Sequence, residues 1–283
     1  MPFSSPNGAA PDLLALHGAP DPNEREAIGV LGGMGPYAGL DLVRALFDET
    51  AAASDQEHLP VVLISYPGRL PDRSTWIHDP AAPNPVPALI EILRRLDEAG
   101  CAVAGIPCNT AHAEVLYDRL AEALAREGRR LRIVHLIEAV VAHVAEVAPE
   151  AKTVGVLATT SSIQNRLHSL RLRAAGYEAV RPDADVQDAL VQPSIFDPAW
   201  GLKAHSNPPT ARAREALVAG VEHLKAKGAE AVILGCTELP LALPEPACAG
   251  LPLVNSTRAL ARALIRATHP AKLRPLEAVP APS

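Results

Sequence analysis

The chain has 283 residues, of which 48% are hydrophobic and 20% are charged, so it can bury a core large enough for two domains. Aromatic residues make up only 3%, and a core of Ala, Val, Leu and Ile favours parallel sheets flanked by helices over aromatic-rich sandwiches or barrels. A formal net charge of -6 and a pI near 5.9 give no basic surface for nucleic acid or anionic membrane, so the expected partner is a small molecule.

The sequence predicts neither a membrane span nor a disulfide-stabilised fold. Its apolar stretches are interrupted before the roughly 18 to 20 residues that a transmembrane helix needs, and its N-terminus lacks a basic start followed by an apolar core. Four cysteines without Cys-x-x-Cys spacing are too sparse for a disulfide scaffold and argue against structural zinc. We therefore expect a cytoplasmic protein with free thiols.

Proline-rich ends flank the part of the chain that is expected to be ordered. Residues 1–26 contain five prolines among small and polar residues, and residues 271–283 have a similar composition. Such segments bury too little apolar surface to offset the entropy that ordering would cost. We predict a flexible extension at 1–26 and a flexible tail at 271–283.

The first half of the ordered chain alternates strand and helix patterns. A buried strand at 27–31 leads into a glycine loop that Pro36 closes, and a helix is predicted from there to about Ala53. Its apolar residues recur at helical spacing and are predicted to face the sheet: Leu40, Val43 and Phe47, with Leu42 and Leu46 alongside. The other predicted elements are strands at 60–65, 101–106 and 131–134, and helices at 86–99, just past Cys108 and around 137–147. Residues 66–87 are too long for an ordinary connection and are predicted to be a functional loop.

A strand at 153–158 repeats the Gly-Val-Leu pattern of the first strand. Gly29 lies 79 positions before Cys108, and Gly155 lies 81 positions before Cys236. We interpret this spacing as a duplicated α/β half, although strands rich in Val, Leu and Gly can resemble each other by chance.

The second half contains its own long loop. Residues 183–209, with four prolines, are predicted to lie opposite the first loop, and a strand at 251–254 and a helix at 257–267 complete the pattern. The predicted domains are an N-terminal α/β domain at 27–131, to which 254–270 return, and a C-terminal α/β domain at 132–253.

Cys108 and Cys236 are the strongest candidates for chemistry. Each follows an apolar strand and precedes a predicted helix, so each is expected at the carboxyl end of a parallel strand, where α/β sheets bind ligands. The N-terminus of a helix at that point would lower the pKa of the thiol. If the halves face each other, one thiolate can remove a proton from a carbon while the other thiol delivers one to the opposite face. A lone cysteine is more often a small buried hydrophobe, and the repeat is what favours catalysis.

Cationic residues in the two long loops are candidates for binding anionic groups. Arg73 lies in the first loop and Lys203 in the second, and either could instead be a solvated surface charge. Arg73 is the better candidate, because its planar guanidinium can bind a carboxylate through two hydrogen bonds. Next to the cysteines, Asn109, Thr110 and Thr237 add short polar side chains that can donate to a carboxylate or cap a helix.

Other motifs carry weaker signals. The loop Gly32–Gly35 lacks the Gly-x-Gly-x-x-Gly and Gly-Lys-Ser/Thr patterns of nucleotide sites, and we interpret it as a tight turn under the ligand. Cys108 and His112 could ligate a metal at i and i+4, but no further histidine has companion spacing, so no metal is expected. Cys101 is assigned to packing, and Cys248 lacks the placement of the two candidate thiols.

Six ordered motifs resemble those of the cofactor-independent aspartate/glutamate racemases, and most closely those of aspartate racemases. They read Ile-Gly-Val-Leu-Gly-Gly-Met-Gly-Pro from Ile28, Asp-Gln-Glu-His from Asp55, Pro-Asp-Arg from Pro71, Pro-Cys-Asn-Thr-Ala-His from Pro107, Leu-Ala-Thr-Thr from Leu157 and Gly-Cys-Thr-Glu from Gly235. So many blocks in one order are specific for the superfamily and less so for the substrate.

The resemblance implies two similar flavodoxin-like α/β domains, related by a pseudo-twofold axis, with parallel sheets flanked by helices and an active site in the cleft between them. It further implies a homodimer, no cofactor and a catalytic thiol pair, Cys108 and Cys236. The expected substrate-binding residues are Arg73, Asn109, Thr110, Thr159, Thr237, Lys203, Met34 and Gly35.

The expected function is racemisation of aspartate, with glutamate or a related acidic amino acid next, by a two-base mechanism. One alternative is another reaction of the superfamily, such as that of a maleate cis-trans isomerase or a hydantoin racemase, with one cysteine as nucleophile or with a different acid as substrate. Another is a protein without catalytic activity that binds acidic amino acids. The presence of both cysteines favours two-base racemisation.

Overall fold

The computed structural model describes residues 27–276, and the predicted extension at 1–26 lies outside them. Residues 271–276 of the predicted tail lie within the described range. They are held against the end of the first helix. The amide of Ala51 donates to the carbonyl of Lys272 at 2.7 Å, and the amide of Arg274 donates to that of Glu49 at 2.9 Å. None of the helices in the described range is long and apolar enough to span a membrane.

The first half builds a four-stranded parallel sheet with the strand order β2-β1-β3-β4. Its strands are β1 (Ala27–Gly32), β2 (Val61–Ser65), β3 (Cys101–Gly105) and β4 (Arg132–Ile133). The helices of this half are α1 (Pro36–Asp48), α2 (Arg73–His78), α3 (Val86–Glu98), α4 (Glu114–Arg126) and α5 (Leu136–Val147). Short 3₁₀ turns lie at Asp55–Glu57, Pro67–Arg69 and Asn109–His112.

The second half builds a five-stranded sheet with the order β6-β5-β7-β9-β8. Its strands are β5 (Thr153–Leu157), β6 (Glu178–Val180), β7 (Ala231–Leu234), β8 (Ala247–Cys248) and β9 (Leu251–Asn255), and only β8 runs antiparallel to its neighbour. The helices are α6 (Thr160–Gln164), α7 (Leu167–Ala174), α8 (Ala184–Val186), α9 (Gln192–Phe196), α10 (Ala211–Ala226), α11 (Leu239–Ala242) and α12 (Ser256–Thr268). The four parallel strands follow the same 2-1-3-4 order as the first sheet, as the predicted α/β fold with parallel sheets and flanking helices requires.

Close packing at two glycines supports the interpretation that the halves are duplicated. A Cβ atom on Gly29 would lie 3.2 Å from Leu96, and one on Gly155 would lie 3.0 Å from Leu224, so a helix crosses each central strand too closely for a side chain. Leu96 and Leu224 are 128 positions apart, the same offset that separates Cys108 from Cys236. The repeat in the sequence is therefore also a repeat in the packing.

One apolar core joins the two halves. It contains Val30 and Val103 of the first sheet together with Val156 and Ile233 of the second, and the helices α5 and α12 lie among them. After β9 completes the second sheet, α12 returns to the first half and packs on α1, α5 and β3. The halves thus share apolar surface on the side where the chain passes between them.

A network of ion pairs fixes α12 in this position. Glu49, the buried residue that ends α1, accepts hydrogen bonds from Arg258 and, at 2.5 Å, from Arg262. On α5, Glu146 accepts from Arg262 at 3.3 Å and from Arg266 at 2.5 Å. Charge-assisted hydrogen bonds of this kind are among the stronger ones in proteins, and here they join three helices.

The predicted buried face of α1 is partly wrong. Leu40 and Phe47 are 54% and 38% exposed, whereas the buried residues are Ala38, Gly39, Leu42 and Leu46. The reason is that α1 lies very close to the glycine loop. A Cβ atom on Gly39 would lie 3.2 Å from the Cα atom of Gly32, so the helix turns its small residues toward the strand.

The long loop predicted at 183–209 is also corrected. Residues 184–196 form a continuous helical segment, in which a π-helical turn (Gln187–Val191) connects α8 to α9. Pro193 has no N–H to donate within this segment, and the π-helical turn lies directly before it, where the regular hydrogen-bond pattern is interrupted. Only the following stretch, up to Thr210 at the start of α10, lacks regular structure.

Candidate active site

The two candidate thiols line one small cavity between the halves. Cys108 follows β3 and Cys236 follows β7, so both lie past the carboxyl ends of central parallel strands, and both are buried. The hydroxyl of Thr237 donates a hydrogen bond to the carbonyl of Pro107 at 2.9 Å, which joins the residue after one cysteine to the residue before the other. The structure therefore brings together two thiols that are 128 positions apart in the chain.

The helices expected to begin directly at the thiols are not there. Cys108 is followed by the 3₁₀ turn Asn109–His112, and α4 begins only at Glu114. Past Cys236, α11 begins at Leu239 and has only four residues. Short turns carry little of the aligned dipole of a long helix, so the charges closest to each thiol are those of neighbouring side chains.

Arg73 provides the charged neighbour of Cys108. It is the first residue of α2, and Asp72 caps this helix by accepting a hydrogen bond from the amide of Thr75 at 2.7 Å. Arg73 is buried and donates to the carbonyl of Pro71 at 3.1 Å. Burial alone would lower the pKa of Arg73, but its interactions with Cys108 and Asp72 outweigh burial and raise that pKa. Arg73 therefore places a permanent positive charge beside the first sulfur.

Cys236 has a carboxylate neighbour instead. Its Sγ donates to Oε2 of Glu238 at 3.0 Å, and Oε1 of the same carboxylate accepts from the ammonium of Lys203 at 2.7 Å. Burial, and then the negative charge of Glu238, raise the pKa of Cys236 well above its ordinary value. The expectation that both thiols have a lowered pKa is wrong for Cys236, because a buried carboxylate rather than a helix end lies beside it.

The ion pair of Glu238 and Lys203 holds both groups in their charged forms. Burial by itself would raise the pKa of Glu238, but the ammonium of Lys203 and the hydrogen bonds to the carboxylate lower it. Burial would lower the pKa of Lys203, and the negative charge of Glu238 and its hydrogen bond reverse this effect and raise it. The amide of Gly35 also donates to the Glu238 carboxylate, at 3.0 Å. The glycine loop of the first half thus contacts an acid of the second half.

The structure places the predicted substrate-binding residues as follows. All of them except Gly35 line the cavity, and Gly35 reaches it through its hydrogen bond to Glu238. Two of the hydroxyls already have structural partners. That of Thr159 accepts from the amide of Ser162 at 3.2 Å, as the cap of α6, and donates to the Ser162 hydroxyl at 3.0 Å, while that of Thr237 donates to a backbone carbonyl. Their hydroxyl protons are therefore less available to a ligand than the sequence predicts.

Two buried donors in the cavity have no acceptor among residues 27–276. They are Nε of Arg73 and Nδ2 of Asn109. The other end of the Asn109 amide accepts from Nε2 of the buried His168 at 3.0 Å, which fixes the direction in which the amide nitrogen points. Buried donors without a partner cost free energy, so they mark where an anionic group would be bound.

The sequence of residues 31–264 matches the family model described as Asp/Glu/Hydantoin racemase. The protein belongs to this family. It is therefore an isomerase of the racemase type that works without pyridoxal phosphate.

Relatives and solved structures agree with this membership. The chain is 24% identical over 242 residues to the broad specificity amino-acid racemase RacX of Bacillus subtilis (strain 168), a match that covers 84% of this chain and 96% of RacX. It superimposes on Picrophilus torridus aspartate racemase with a TM-score of 0.70 at 25% identity, covering 89% of this chain and 96% of that one. The fold is also similar to that of glutamate racemase from Francisella tularensis, with a TM-score of 0.60 at 17% identity over 90% of this chain and 85% of that one.

Glu238 is a residue of the site that the sequence reasoning did not single out. It was noted only as the last residue of the Gly-Cys-Thr-Glu motif, yet it is 2% exposed and contacts Cys236, Lys203 and Gly35. The available signal was its position, because a single acidic residue in the apolar stretch 231–243 has to be buried. Buried carboxylates are seldom found without a charged or functional partner.

The other cysteines and the candidate metal ligand lie elsewhere. Cys101 packs among apolar residues of the first half, such as Leu31 and Leu96, and its burial raises its pKa to about 11, while Cys248 is half-buried on β8. His112 accepts from the amide of Leu136 through Nδ1 and lies 3.1 Å from the carbonyl of Ile106 through Nε2, so both ring nitrogens are used. Within the described part of the chain, no three metal-ligating side chains are grouped for a metal ion.

Proposed function

We propose that the enzyme is an amino-acid racemase in which Cys108 and Cys236 act as the opposed base and acid, with aspartate as the preferred substrate. The observation that carries the proposal is the pair of thiols at equivalent points of a duplicated fold, lining one cavity with charged neighbours of opposite sign. A two-base racemase needs one thiolate and one thiol at the same time. The neighbouring charges support that assignment, because the buried carboxylate beside Cys236 favours its thiol form, while the charge beside Cys108 is the positive one of Arg73.

In each turnover the substrate loses one proton to one sulfur and gains one proton from the other. The thiolate of Cys108 takes the α-proton, so that a C–H bond breaks and an S–H bond forms, and the electron pair stays on the substrate. Cys236 then gives its S–H proton to the opposite face of the same carbon and becomes a thiolate. In the reverse direction the two sulfurs exchange roles.

Substrate binding is assigned to the cationic and amide donors of the cavity. Arg73 and Asn109 offer buried N–H groups without partners, which can bind carboxylate oxygens and stabilise the negative charge that develops when the α-proton leaves. Lys203 is already paired with Glu238, so a second substrate carboxylate would share this ammonium. An acidic amino acid has two carboxylates for these cations, and its ammonium group complements the carboxylate of Glu238.

The cavity has to open before an amino acid can enter. Its volume is about 20 Å³, and a void of that size holds about one water molecule. Phe196 and Lys203, which line it, lie at the end of α9 and in the irregular stretch that follows. We propose that this segment moves away during binding and then returns, so that water is excluded while the carbanion exists.

The decisive experiment is α-proton exchange in D₂O with pure L- or D-aspartate. The intact enzyme should release the antipode with deuterium at the α-carbon. The Cys108→Ser and Cys236→Ser variants should each lose about 10² to 10⁴-fold in racemisation rate, the usual contribution of a positioned acid or base. Cys248→Ser is the matched control, because this thiol lies outside the cavity and its loss should leave the rate unchanged.

Other outcomes would select the alternatives. Full activity in both cysteine variants would contradict the two-base mechanism. A mass increase on Cys108 or Cys236 from a trapped adduct would favour a nucleophilic reaction of the maleate isomerase kind. Thermal stabilisation by aspartate without any isotope exchange would favour a binding protein. A panel of amino acids in the same exchange assay would separate a preference for aspartate from broad specificity.

We also propose that the enzyme is a homodimer. The outer face of α1 carries Tyr37, Leu40 and Phe47, which are 39%, 54% and 38% exposed. Large apolar side chains exposed together on one helix are typical of an interface. Light scattering should give twice the chain mass of 29.8 kDa, and a monomeric mass for Leu40→Glu would assign the contact to this face.

A further inference from the structure

A second cavity, much larger than the one between the thiols, lies in the second half between helices α6 and α7 and the edge strand β6. Its volume is about 370 Å³, within the range of roughly 300 to 1,000 Å³ that is usual for small-molecule sites. Three arginines line it: Arg166, Arg173 and Arg181. We refer to it as the arginine cavity.

The three guanidinium groups have no carboxylate partners. None of them forms an ion pair with a side chain of residues 27–276, and the lining contains no Asp or Glu from that range. Elsewhere in the protein, exposed arginines commonly pair with acids, as Arg94 does with Glu127 at 2.6 Å. Three unpaired cations around one cavity in a chain of net charge -6 form a local positive field that would bind an anion.

The backbone at Arg166 supports this interpretation. Arg166 connects α6 to α7 with φ 55° and ψ 30°, a left-handed conformation that costs a non-glycine residue on the order of 1–2 kcal/mol. A Gly, Asn or Asp at this position would avoid most of that cost. Keeping an arginine here is understandable if its guanidinium is needed in the cavity.

The remaining lining fits the rest of a small organic molecule. The hydroxyl of Ser162 adds a neutral donor, that of Ser169 donates to the carbonyl of Arg166 at 3.4 Å, and Val156, Ala179 and Val180 form an apolar wall. A single arginine can bind both oxygens of a carboxylate through two hydrogen bonds. A phosphate monoester has three terminal oxygens, which can accept hydrogen bonds from several donors. A phosphate held by the arginines with an organic group against the apolar wall matches this arrangement.

The arginine cavity is in contact with the catalytic cleft. Ser162 lines both cavities, and His168 lines the arginine cavity while donating to Asn109 beside Cys108. The His168 ring also packs against the strand end that carries the other thiol, since a Cβ atom on Gly235 would lie 2.9 Å from its Cε1 atom. A ligand that shifts this ring would therefore act on both thiols.

We propose that the arginine cavity is a regulatory site for a small phosphate monoester, and that its occupancy changes the rate of the racemase reaction through His168 and Ser162. The regulatory part rests on the proposed function, whereas the binding part does not. Arg166, Arg173 and Arg181 hold the phosphate, and the apolar wall holds the organic group. The site differs from the substrate cavity in position and in the residues that supply its charge.

Binding is tested by calorimetry on the full-length chain with inorganic phosphate, AMP and adenosine. AMP should bind, inorganic phosphate should compete with it, and adenosine should bind about tenfold or more weakly, since it lacks the charged group. The Arg166→Gly, Arg181→Ser double variant should weaken AMP binding by about tenfold or more while folding normally, because glycine suits the left-handed backbone. Arg130→Gln, an exposed arginine of the first half, is the matched control and should bind as the unmodified protein does.

The Cys108→Ser variant separates this site from the proposed function, because it should lose racemisation and retain AMP binding. Equal affinity in the double variant and the unmodified protein would overturn the proposal, as would failure of both AMP and phosphate to bind. Saturating AMP should change the α-proton exchange rate about twofold or more in the unmodified protein and not in the double variant. Specific binding without any change in rate would overturn the regulatory role.

Discussion

The surroundings of Cys108 and Cys236 differ more than their backbone positions do. Both sulfurs follow the third strand of a 2-1-3-4 sheet, 128 positions apart, yet Cys108 has Arg73 beside it and Cys236 has Glu238. At the same offset, the residue of the first half that corresponds to Glu238 is Thr110. Duplication of the fold provides two equivalent thiols, and we propose that their different neighbours assign the roles of base and acid.

This difference is useful for catalysis at one carbon. Two coupled thiols in identical surroundings could share one proton, but neither sulfur would be preferred as the base or as the acid of the proposed reaction. The charged neighbours remove that symmetry before substrate arrives. Variants that remove or invert a neighbour should therefore change catalysis without moving either sulfur.

Removing the positive charge beside Cys108 should have the largest effect. We expect Arg73→Gln to lower kcat/KM for aspartate by about 100-fold, because Arg73 places its charge beside Cys108 and offers an unpaired donor to the substrate. Arg73→Lys keeps the charge but loses the fork and should retain part of the activity. Alkylation of Cys108 by iodoacetamide, measured against pH in a Cys236→Ser background, should slow at neutral pH in Arg73→Gln. Unchanged kinetics would remove Arg73 from the site.

Removing the negative charge beside Cys236 should have the next largest effect. In Glu238→Gln the carboxylate that raises the pKa of Cys236 is absent while the ammonium of Lys203 remains, so that pKa should fall. We expect about a tenfold loss of kcat, since a smaller fraction of Cys236 carries the proton that it has to donate. The pH dependence of Cys236 alkylation in a Cys108→Ser background measures the shift directly. A midpoint that moves to higher pH in Glu238→Gln would contradict the assigned role of the carboxylate.

The buried His168, which contacts residues beside both thiols, should give a smaller effect, on stability rather than on catalysis. Burial lowers the pKa of His168 to about 4 and that of His112 to about 3, from an ordinary value of 6.5. Below pH 6.5 the unfolded chain binds protons that the folded chain does not, so stability decreases as the pH falls from 6.5 toward 4. Each histidine contributes roughly 1.4 kcal/mol per pH unit in that window.

Urea unfolding at pH 7, 6 and 5 measures this dependence. We expect His168→Gln to reduce the loss of stability in acid by the share of one histidine, because glutamine can replace the donor to Asn109 without taking up a proton. The share of His112 should remain in this variant. A pH dependence identical to that of the unmodified protein would show that His168 is not held neutral by the fold.

Much of the architecture could be predicted because its signals are local. The Gly-Val-Leu strands and the position of each cysteine after an apolar run predicted two parallel α/β halves, and the structure has the strands close to their predicted positions. The helical segment at 184–196 was missed because the four prolines of 183–209 suggested a loop, although Val186, Leu190 and Ile195 recur at near-helical spacing. The buried face of α1 was missed because it depends on how closely the helix approaches Gly32, which is a tertiary contact.

The sequence predicted which residues lie in the site but not how the charges around the thiols are arranged. The residues expected to contact substrate do line or adjoin one cavity, since the carboxyl ends of parallel strands meet at one edge. The pKa of Cys236 was predicted in the wrong direction, because that pKa depends on the burial of Glu238 and on its pairing with Lys203. Such pairs join residues far apart in the chain, here 35 positions, and no local pattern predicts them.

The position of α12 has a consequence for how the molecule denatures. This helix follows the last strand of the second sheet, packs in the first half and is tied by Arg262 to Glu49 and Glu146. Neither half can lose its structure while the other keeps α12 and the apolar residues around it covered. The halves should therefore melt in a single cooperative transition, with equal calorimetric and van't Hoff enthalpies, rather than as two independent units.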